Sequence, residues 1–206
     1  MQQRLEIMLE MQDAMNVRVH SEWRTQGFHW YRAIWIECAE LLDHYGWKWW
    51  KKQGPDMEQV KLELIDIWHF GMSQLLLSET SHVQLAEYLA SALSAPAADQ
   101  SFRDDLEKFA LDTLQHKNFD VSKFAILLVG ADMTFDELYQ RYIGKNVLNF
   151  FRQDHGYQDG SYRKDWGGRE DNEHLVELVA ELDTDNPDFK DHLYDALGKR
   201  YRACRE

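Results

Sequence analysis

The sequence predicts an all-α fold in a single domain that spans residues 1–206. The chain has only three prolines, so long stretches contain no helix breaker. β-Branched residues are sparse beside Leu, Met, Ala, Glu, Gln and Lys, which are good helix formers. Forty-four per cent of the chain is hydrophobic, which is enough to bury a core. We expect about seven to eight helices packed as one bundle.

Apolar stripes at helical spacing justify individual helices, taken in chain order. The stripes are Leu5, Met8, Met15 and Val19, then Val60, Leu64, Ile67 and Gly71, then a weaker one at Leu106, Phe109, Ala110 and Thr113. Three segments interrupt the helical blocks: Ser91–Gln100, the glycine-rich stretch Gly156–Gly168, and Asp183–Pro187. In the last of these, an Asp or Asn is expected to cap the final helix.

The net charge of the chain limits the classes of molecule that it can bind. A formal net charge of -13 argues against binding a nucleic acid polymer, although a small phosphorylated ligand held through metal ions stays possible. The absence of a run of 18 apolar residues argues against a membrane span, and the first residues lack the apolar core of a signal peptide. Two cysteines provide no disulfide framework. We therefore expect a cytoplasmic protein.

Two apolar segments each carry a pair of acids one helical turn apart. Ala33–Leu42 is apolar nearly all round, which is typical of a buried helix, and Val60–Phe70 is similar and also contains His69. The four acids are Glu37, Glu40, Glu63 and Asp66. Like charges about 4 Å apart repel by roughly 4 kcal/mol at an effective dielectric near 20, so such groups need compensation.

Divalent cations are the compensation that this pattern favours, and ligation by oxygen alone indicates Mg²⁺ or Mn²⁺. One alternative is that the acids lie on solvated helix faces, as most charged residues do. Another is a di-iron centre, but that class needs a Glu-x-x-His pair on each of two helices. Asp66-x-x-His69 only approaches that pair, and Glu37-x-x-Glu40 has no histidine.

Around these acids the sequence resembles the dimeric dUTPases of the all-α NTP pyrophosphatase superfamily. The resemblance rests on three blocks in the family's order, namely ECAELLDHYGWKWWKK (37–52), ELIDIWHF (63–70) and GKNVLNFFRQDHGYQDGSYRKDW (144–166). It implies an all-α homodimer that hydrolyses dUTP, and also dUDP, releasing pyrophosphate from dUTP. It also implies that Glu37, Glu40, Glu63 and Asp66 hold two or three Mg²⁺ ions, for which Mn²⁺ can substitute.

A second cluster is suited to phosphate. Lys145, Asn149 and Arg152 share one helix face, and the glycine-rich stretch beyond them supplies further donors. Alone, this cluster is equally consistent with a solvated loop of mixed charge. The resemblance implies phosphate contacts from Lys145, Asn149, Arg152, Tyr157 and Lys164, while Tyr162 and Arg163 are not assigned.

Candidate base contacts come from the first helix. Gln12 stands where the first stripe requires an apolar residue, and Asn16 lies one turn further on. A buried amide needs hydrogen-bond partners, and either backbone or water would satisfy these two as well as a uracil ring would. The resemblance places Gln12, Asn16, Trp47 and His69 at the nucleobase. Trp23, Trp30 and Trp35 are expected in the core or at an interface.

The sequence thus predicts metal-assisted attack of water on the α-phosphate. Glu37 or Glu40 would be the general base, and the pattern does not choose firmly between them, although Glu37 is our first assignment. A pyrophosphatase of the same superfamily that acts on dCTP or a modified nucleotide would carry the same acids. A non-catalytic acidic helical adaptor is the remote alternative.

Overall fold

The computed structural model of the protein describes residues 1–94, 101–184, 186 and 188–204. Within these ranges it contains nine α-helices and no β-strand. The helices are α1 (Gln2–Val19), α2 (Trp30–Tyr45), α3 (Met57–Leu75), α4 (His82–Leu93), α5 (Phe102–His116), α6 (Val121–Gly130), α7 (Phe135–Asp154), α8 (Asp171–Glu181) and α9 (Phe189–Ala203). The all-helical prediction is confirmed. None of the helices in these ranges is long and apolar enough to cross a membrane.

The predicted number of helices was slightly too low. The middle of the chain, between Ser78 and Thr134, holds three separate helices, α4, α5 and α6. Two of the turns there pass through left-handed backbone at Lys117 (φ 53°) and Asp132 (φ 51°), not at glycine. Non-glycine residues seldom adopt this conformation, so the sequence carries no obvious signal for these turns.

Polar caps fix several helix starts. The side chains of Asp56, Ser101, Asp120 and Thr134 accept hydrogen bonds from backbone N–H groups in the first turns of α3, α5, α6 and α7. Ser81 and Gln84 form a reciprocal capping box on α4. The last helix begins at Phe189 after Asp188, whose side chain makes no capping bond. Of the interruptions, the glycine-rich stretch separates α7 from α8, whereas residues 95–100, 185 and 187 lie outside the described ranges.

Helix α3 is the centre of the bundle. It packs against α1, α2, α6 and α7, and ten of its residues are buried. Its Gly71 permits a close contact, because a Cβ there would stand 2.7 Å from the ring of Phe119. Any larger residue at this point of the core would force the Phe119 ring to move.

Helix α2 differs from the prediction that it is buried on every side. It packs on α3 and α5 through Ile34, Cys38 and Leu41. Its outer face leaves Trp35 39% and Ile36 49% exposed. An apolar face that stays exposed in the described part of the chain has the same sequence pattern as a core face, and for this reason the prediction was wrong. Trp23 is buried and Trp30 packs against the core, in agreement with the expectation for them.

Candidate active site

A cavity of about 870 Å³ opens between α1, α2, α3, α7 and the start of α8. It brings together residues that are far apart in sequence, because α1, α2 and α7 all contact α3. Twelve of the thirteen predicted site residues line it: Gln12, Asn16, Glu37, Glu40, Glu63, Asp66, His69, Lys145, Asn149, Arg152, Tyr157 and Lys164. Trp47 does not. It lies on the loop after α2, is 44% exposed, and its indole N–H donates to Asp43 Oδ1 at 2.9 Å.

The acids of α2 and α3 converge at one end of the cavity. One ligand atom each from Glu37, Glu63 and Asp66 lies within 4.8 Å of the others. Glu40 lines the same cavity, is more exposed, and does not belong to this close group. The three-residue spacing within each helix puts each pair on one face, and the packing of α2 on α3 turns the two faces toward each other.

The titration of these acids reflects their crowding. Burial raises the pKa of Glu37 to about 9, with further contributions from Asp66, from a hydrogen bond to Glu63 and from Glu40. Burial likewise raises the pKa of Glu63, and the charges of Asp66 and Glu40 add to that effect. Without a cation, a protonated Glu37 can donate to Glu63. Crowded carboxylate oxygens of this kind fit a hard divalent cation, whose charge would reverse the repulsion.

The basic side chains of α7 are already paired with acids. Lys145 Nζ donates to Asp66 Oδ2 at 2.9 Å and to Asn172 Oδ1 at 3.2 Å. Arg152 binds Asp171 through two donors, Nε at 2.9 Å and Nη2 at 2.8 Å. Asp171 is fully buried, and the Tyr162 hydroxyl donates to it at 2.7 Å. Both cations are thereby held in fixed positions at the wall of the cavity.

The rest of the phosphate cluster is more open. Asn149 Oδ1 accepts a hydrogen bond from Arg152 Nη1 at 3.2 Å. The Tyr157 ring, 41% exposed, lies 5.9 Å from the Arg152 guanidinium carbon and 5.7 Å from Lys164 Nζ. Lys164 is exposed at the edge of the cavity.

The lining of the cavity is acidic overall. Its carboxylates are Glu37, Glu40, Glu63, Asp66, Glu170 and Glu173, against the cations Lys145, Arg152 and Lys164. Even with Glu37 protonated, five carboxylates against three cations would repel an anionic ligand on their own. Divalent cations would have to accompany any phosphorylated ligand into this cavity.

The other end of the cavity is built from side-chain amides. Gln12 and Asn16, both nearly buried, are joined by a 3.1 Å hydrogen bond. His69 is also buried and lines the cavity, and neither of its ring nitrogens has a hydrogen-bond partner among the described residues. Burial lowers the pKa of His69 to about 4, so the ring is neutral near pH 7. An unpaired buried imidazole beside a cavity is suited to contact a ligand.

Sequence reasoning missed two groups of residues. Asp171 and Asn172, at the start of α8, hold Arg152 and Lys145. The sequence signal available was an acidic helix start directly after the glycine-rich stretch. Ser73 and Tyr142 lie behind Gln12 and contact its amide, and no sequence pattern distinguishes them from other core positions.

Comparison with known families agrees with this geometry. Residues 4–157 match the sequence model of the dUTPase family, which covers about three-quarters of the chain. The protein therefore belongs to the dUTPase family. No curated protein matches the chain.

Proposed function

We propose that this member of the dUTPase family hydrolyses dUTP to dUMP and pyrophosphate by attack of water on the α-phosphate. The observation that carries the proposal is that one cavity has an acidic end, at Glu63 and Asp66 of α3, and an amide end, at the side chains that contact Ser73 two turns further along the same helix. The acidic end suits the cations that accompany a triphosphate, and the amide end suits a nucleobase. dUDP, which keeps the same base and α-phosphate, is expected as a second substrate.

The metal-holding residues in this proposal are Glu37, Glu63 and Asp66, with Glu40 at the edge of the group. Two or three Mg²⁺ ions, or Mn²⁺ in their place, would neutralise the substrate and lower the pKa of a bound water. Lys145 holds one oxygen of Asp66 and so restricts its orientation. His44 Nε2 lies 3.5 Å from Glu63 Oε1.

Glu40 is the better candidate for the general base. An oxygen of Glu37 belongs to the close group with Glu63 and Asp66, whereas Glu40 faces the cavity outside that group. A carboxylate that is not committed to cations is free to accept the proton from water. The geometry therefore supports an assignment different from our first expectation of Glu37.

Glu40→Gln and Glu37→Gln distinguish the two roles. Glu40→Gln should lower kcat at least about a hundredfold, the usual scale of a general base, while Mg²⁺ affinity stays close to that of the wild type. Glu37→Gln should weaken Mg²⁺ binding as well. The reverse pattern, with Mg²⁺ affinity lost only in Glu40→Gln, would return the general-base role to Glu37.

The phosphate end has two kinds of contact. Lys145 and Arg152 are fixed by Asp66 and Asp171, so they supply oriented N–H donors more than net charge. Lys164 and Tyr157 are the exposed members and can follow the leaving pyrophosphate. Asn149 completes this set.

A homodimer is part of the proposal. The outer face of α2 exposes Trp35 and Ile36, and the neighbouring α5 exposes Leu111 (64%) and Leu114 (42%). An apolar surface of this kind is suited to an isologous contact with a second copy. Light scattering on Trp35→Glu should give a monomer. The matched variant Trp49→Glu alters an indole that is 90% exposed on the loop after α2 and should leave a dimer. A monomeric wild type would refute the dimer.

A panel of nucleoside triphosphates with pyrophosphate detection tests the function. We expect dUTP to be the best substrate with Mg²⁺ and activity to vanish with chelator. Preference for dCTP or a modified nucleotide would favour the related pyrophosphatase. If no nucleotide is hydrolysed and Mg²⁺ does not bind, the result would favour the non-catalytic helical adaptor.

A further inference from the structure

Two buried hydroxyls stand behind the amide end of the cavity. Ser73 on α3 and Tyr142 on α7 are both 0% exposed and do not line the cavity. In front of them, Gln12 and Asn16 do line it. The amides therefore face a ligand on one side and hydroxyl groups on the other.

The hydrogen-bonding capacity of Ser73 is fully used. Its Oγ lies 3.0 Å from the backbone oxygen of His69, which can only accept, so the serine proton goes there. The two lone pairs face Gln12 Nε2 and Asn16 Nδ2, each at 3.0 Å. Rotating the Gln12 amide by 180° would bring its carbonyl oxygen against an oxygen that has no proton left to donate. Ser73 alone holds Asn16 less firmly, because Asn16 Oδ1 already lies 3.3 Å from the same Oγ.

The contact between the two amides agrees with this orientation. Gln12 Nε2 donates to Asn16 Oδ1 at 3.1 Å, so the amide that Ser73 fixes also holds that of Asn16. The Tyr142 hydroxyl lies 3.1 Å from Gln12 Oε1 but 2.9 Å from the backbone oxygen of Met8, which competes for its single proton. Both N–H donors of Gln12 are thus spent on Ser73 and Asn16. Ser73 Oγ lies 3.0 Å from Asn16 Nδ2 and 3.3 Å from Asn16 Oδ1, so the N–H and the acceptor lone pair that Asn16 has left are on the sides of its amide away from Ser73.

A free asparagine amide does not distinguish uracil from cytosine. Uracil presents the acceptor O4 beside the donor N3–H, and cytosine presents the donor N4 amino group beside the acceptor N3. One orientation of the amide complements uracil, and the same amide rotated by 180° complements cytosine. Selection between the two bases therefore depends on whatever prevents the rotation.

We infer that Ser73 is the residue that sets the choice of base, by fixing the amide of Asn16 in one orientation. The inference rests on the proposed hydrolysis of dUTP and on Asn16 as a base contact. Ser73 acts through Asn16 and not on the substrate, so it is a positioning residue.

The test is the ratio of kcat/KM for dUTP to kcat/KM for dCTP. Ser73→Ala should lower this ratio by about tenfold to a hundredfold, because a flipped amide no longer meets an unpaired oxygen. Much of the change should come from faster dCTP turnover. Ser73→Cys keeps nearly the same volume and replaces the oxygen with a poor acceptor, so it should also lose selectivity, and it decides the question if the alanine variant does not fold.

Thr113→Val is the matched control. Thr113 is also a buried hydroxyl, lies on α5 outside the cavity lining, and has no hydrogen-bond partner among the described residues. Its loss should leave the ratio unchanged, since it removes a hydroxyl without touching the amides. If Thr113→Val changed the ratio as much as Ser73→Ala, the effect would come from any loss of a buried hydroxyl in the core, and the inference would be overturned.

Two failures can be told apart. If folded Ser73→Ala and Ser73→Cys keep the wild-type ratio, Ser73 does not set the choice of base, and the proposed function is untouched. If the wild-type protein does not prefer dUTP to dCTP, the proposed function fails first, and this inference fails with it.

Discussion

The buried ion pair between Arg152 and Asp171 gives the sharpest prediction about stability. We expect Asp171→Asn to destabilise the protein strongly. Arg152 donates two hydrogen bonds to the Asp171 carboxylate, at 2.9 and 2.8 Å, and the substitution removes the negative charge that accepts them. The Asp171 side chain is 0% exposed and that of Arg152 is 9% exposed. Solvent therefore cannot replace the lost charge.

The magnitude follows from this burial. Removing one partner of a buried pair usually costs about 3–5 kcal/mol, since the other charge is left uncompensated. Asparagine keeps one acceptor oxygen, so we expect the lower end, about 3 kcal/mol. For a chain of this length that loss corresponds to a fall in Tm of about 6–12 °C. Tyr162→Phe removes only the 2.7 Å hydrogen bond to Asp171 and should cost about 1–2 kcal/mol.

The effect should depend on pH in a defined direction. Burial alone would raise the pKa of Asp171, but the hydrogen bonds and charge of Arg152 outweigh it and lower the pKa. A lowered folded-state pKa stabilises the protein above the unfolded value near 4, and this contribution is lost as the pH falls through the folded value. The gap between wild type and Asp171→Asn should be constant near neutrality and close below about pH 4.

Denaturant unfolding followed by circular dichroism measures the free energy of unfolding of each variant. Asp136→Asn is the matched control, because it breaks the Arg4–Asp136 pair, whose side chains are 40% and 77% exposed. Surface pairs contribute little, so its Tm should stay at the wild-type value. A cost below about 1 kcal/mol for Asp171→Asn at pH 7 would refute the reasoning from burial.

Three further predictions concern the metal ligands, the core and the loop. Glu63→Gln should abolish turnover, and adding Mg²⁺ should no longer raise the Tm. In chelator the variant should have a higher Tm than the wild type, because one of the mutually repelling carboxylates is gone. Retained activity would contradict the assignment of Glu63 as a metal ligand. Gly71→Ala should cost about 1–3 kcal/mol by overpacking against Phe119, whereas Gly54→Ala, with open space around it, should not, and equal costs would contradict this explanation. A non-hydrolysable dUTP analogue should protect residues 154–170 from protease, if this segment closes over the triphosphate; unchanged cleavage would count against closure.

The convergence of acids was predictable from local spacing. Three-residue intervals fix a shared face on any helix, and Glu37, Glu63 and Asp66 meet because α2 packs on α3. The same local reasoning failed for the outer face of α2. Periodicity reports which residues are apolar, but not whether their partner is the same chain, another chain or water.

The anchoring residues could not be predicted because their partners are distant in sequence. Asp171 lies 19 residues from Arg152, and Ser73 lies 57 residues from Asn16. Neither has a pattern of its own, since a lone serine or aspartate occurs on most helices. Trp47 shows that a family resemblance can also assign a residue to a site that it does not line. Resemblance assigned it to the nucleobase, yet within one chain its indole contacts Asp43 and the cavity lies elsewhere.

The position of Asp171 also shows that residues beyond the family match contribute to the cavity wall. The family match ends at residue 157, before the helix that carries this aspartate. A chain shortened to residue 157 would keep Glu37, Glu63 and Asp66. It would leave the buried guanidinium of Arg152 without its carboxylate partner. The start of α8, beyond the family match, therefore holds the basic side chains at the wall of the cavity in place.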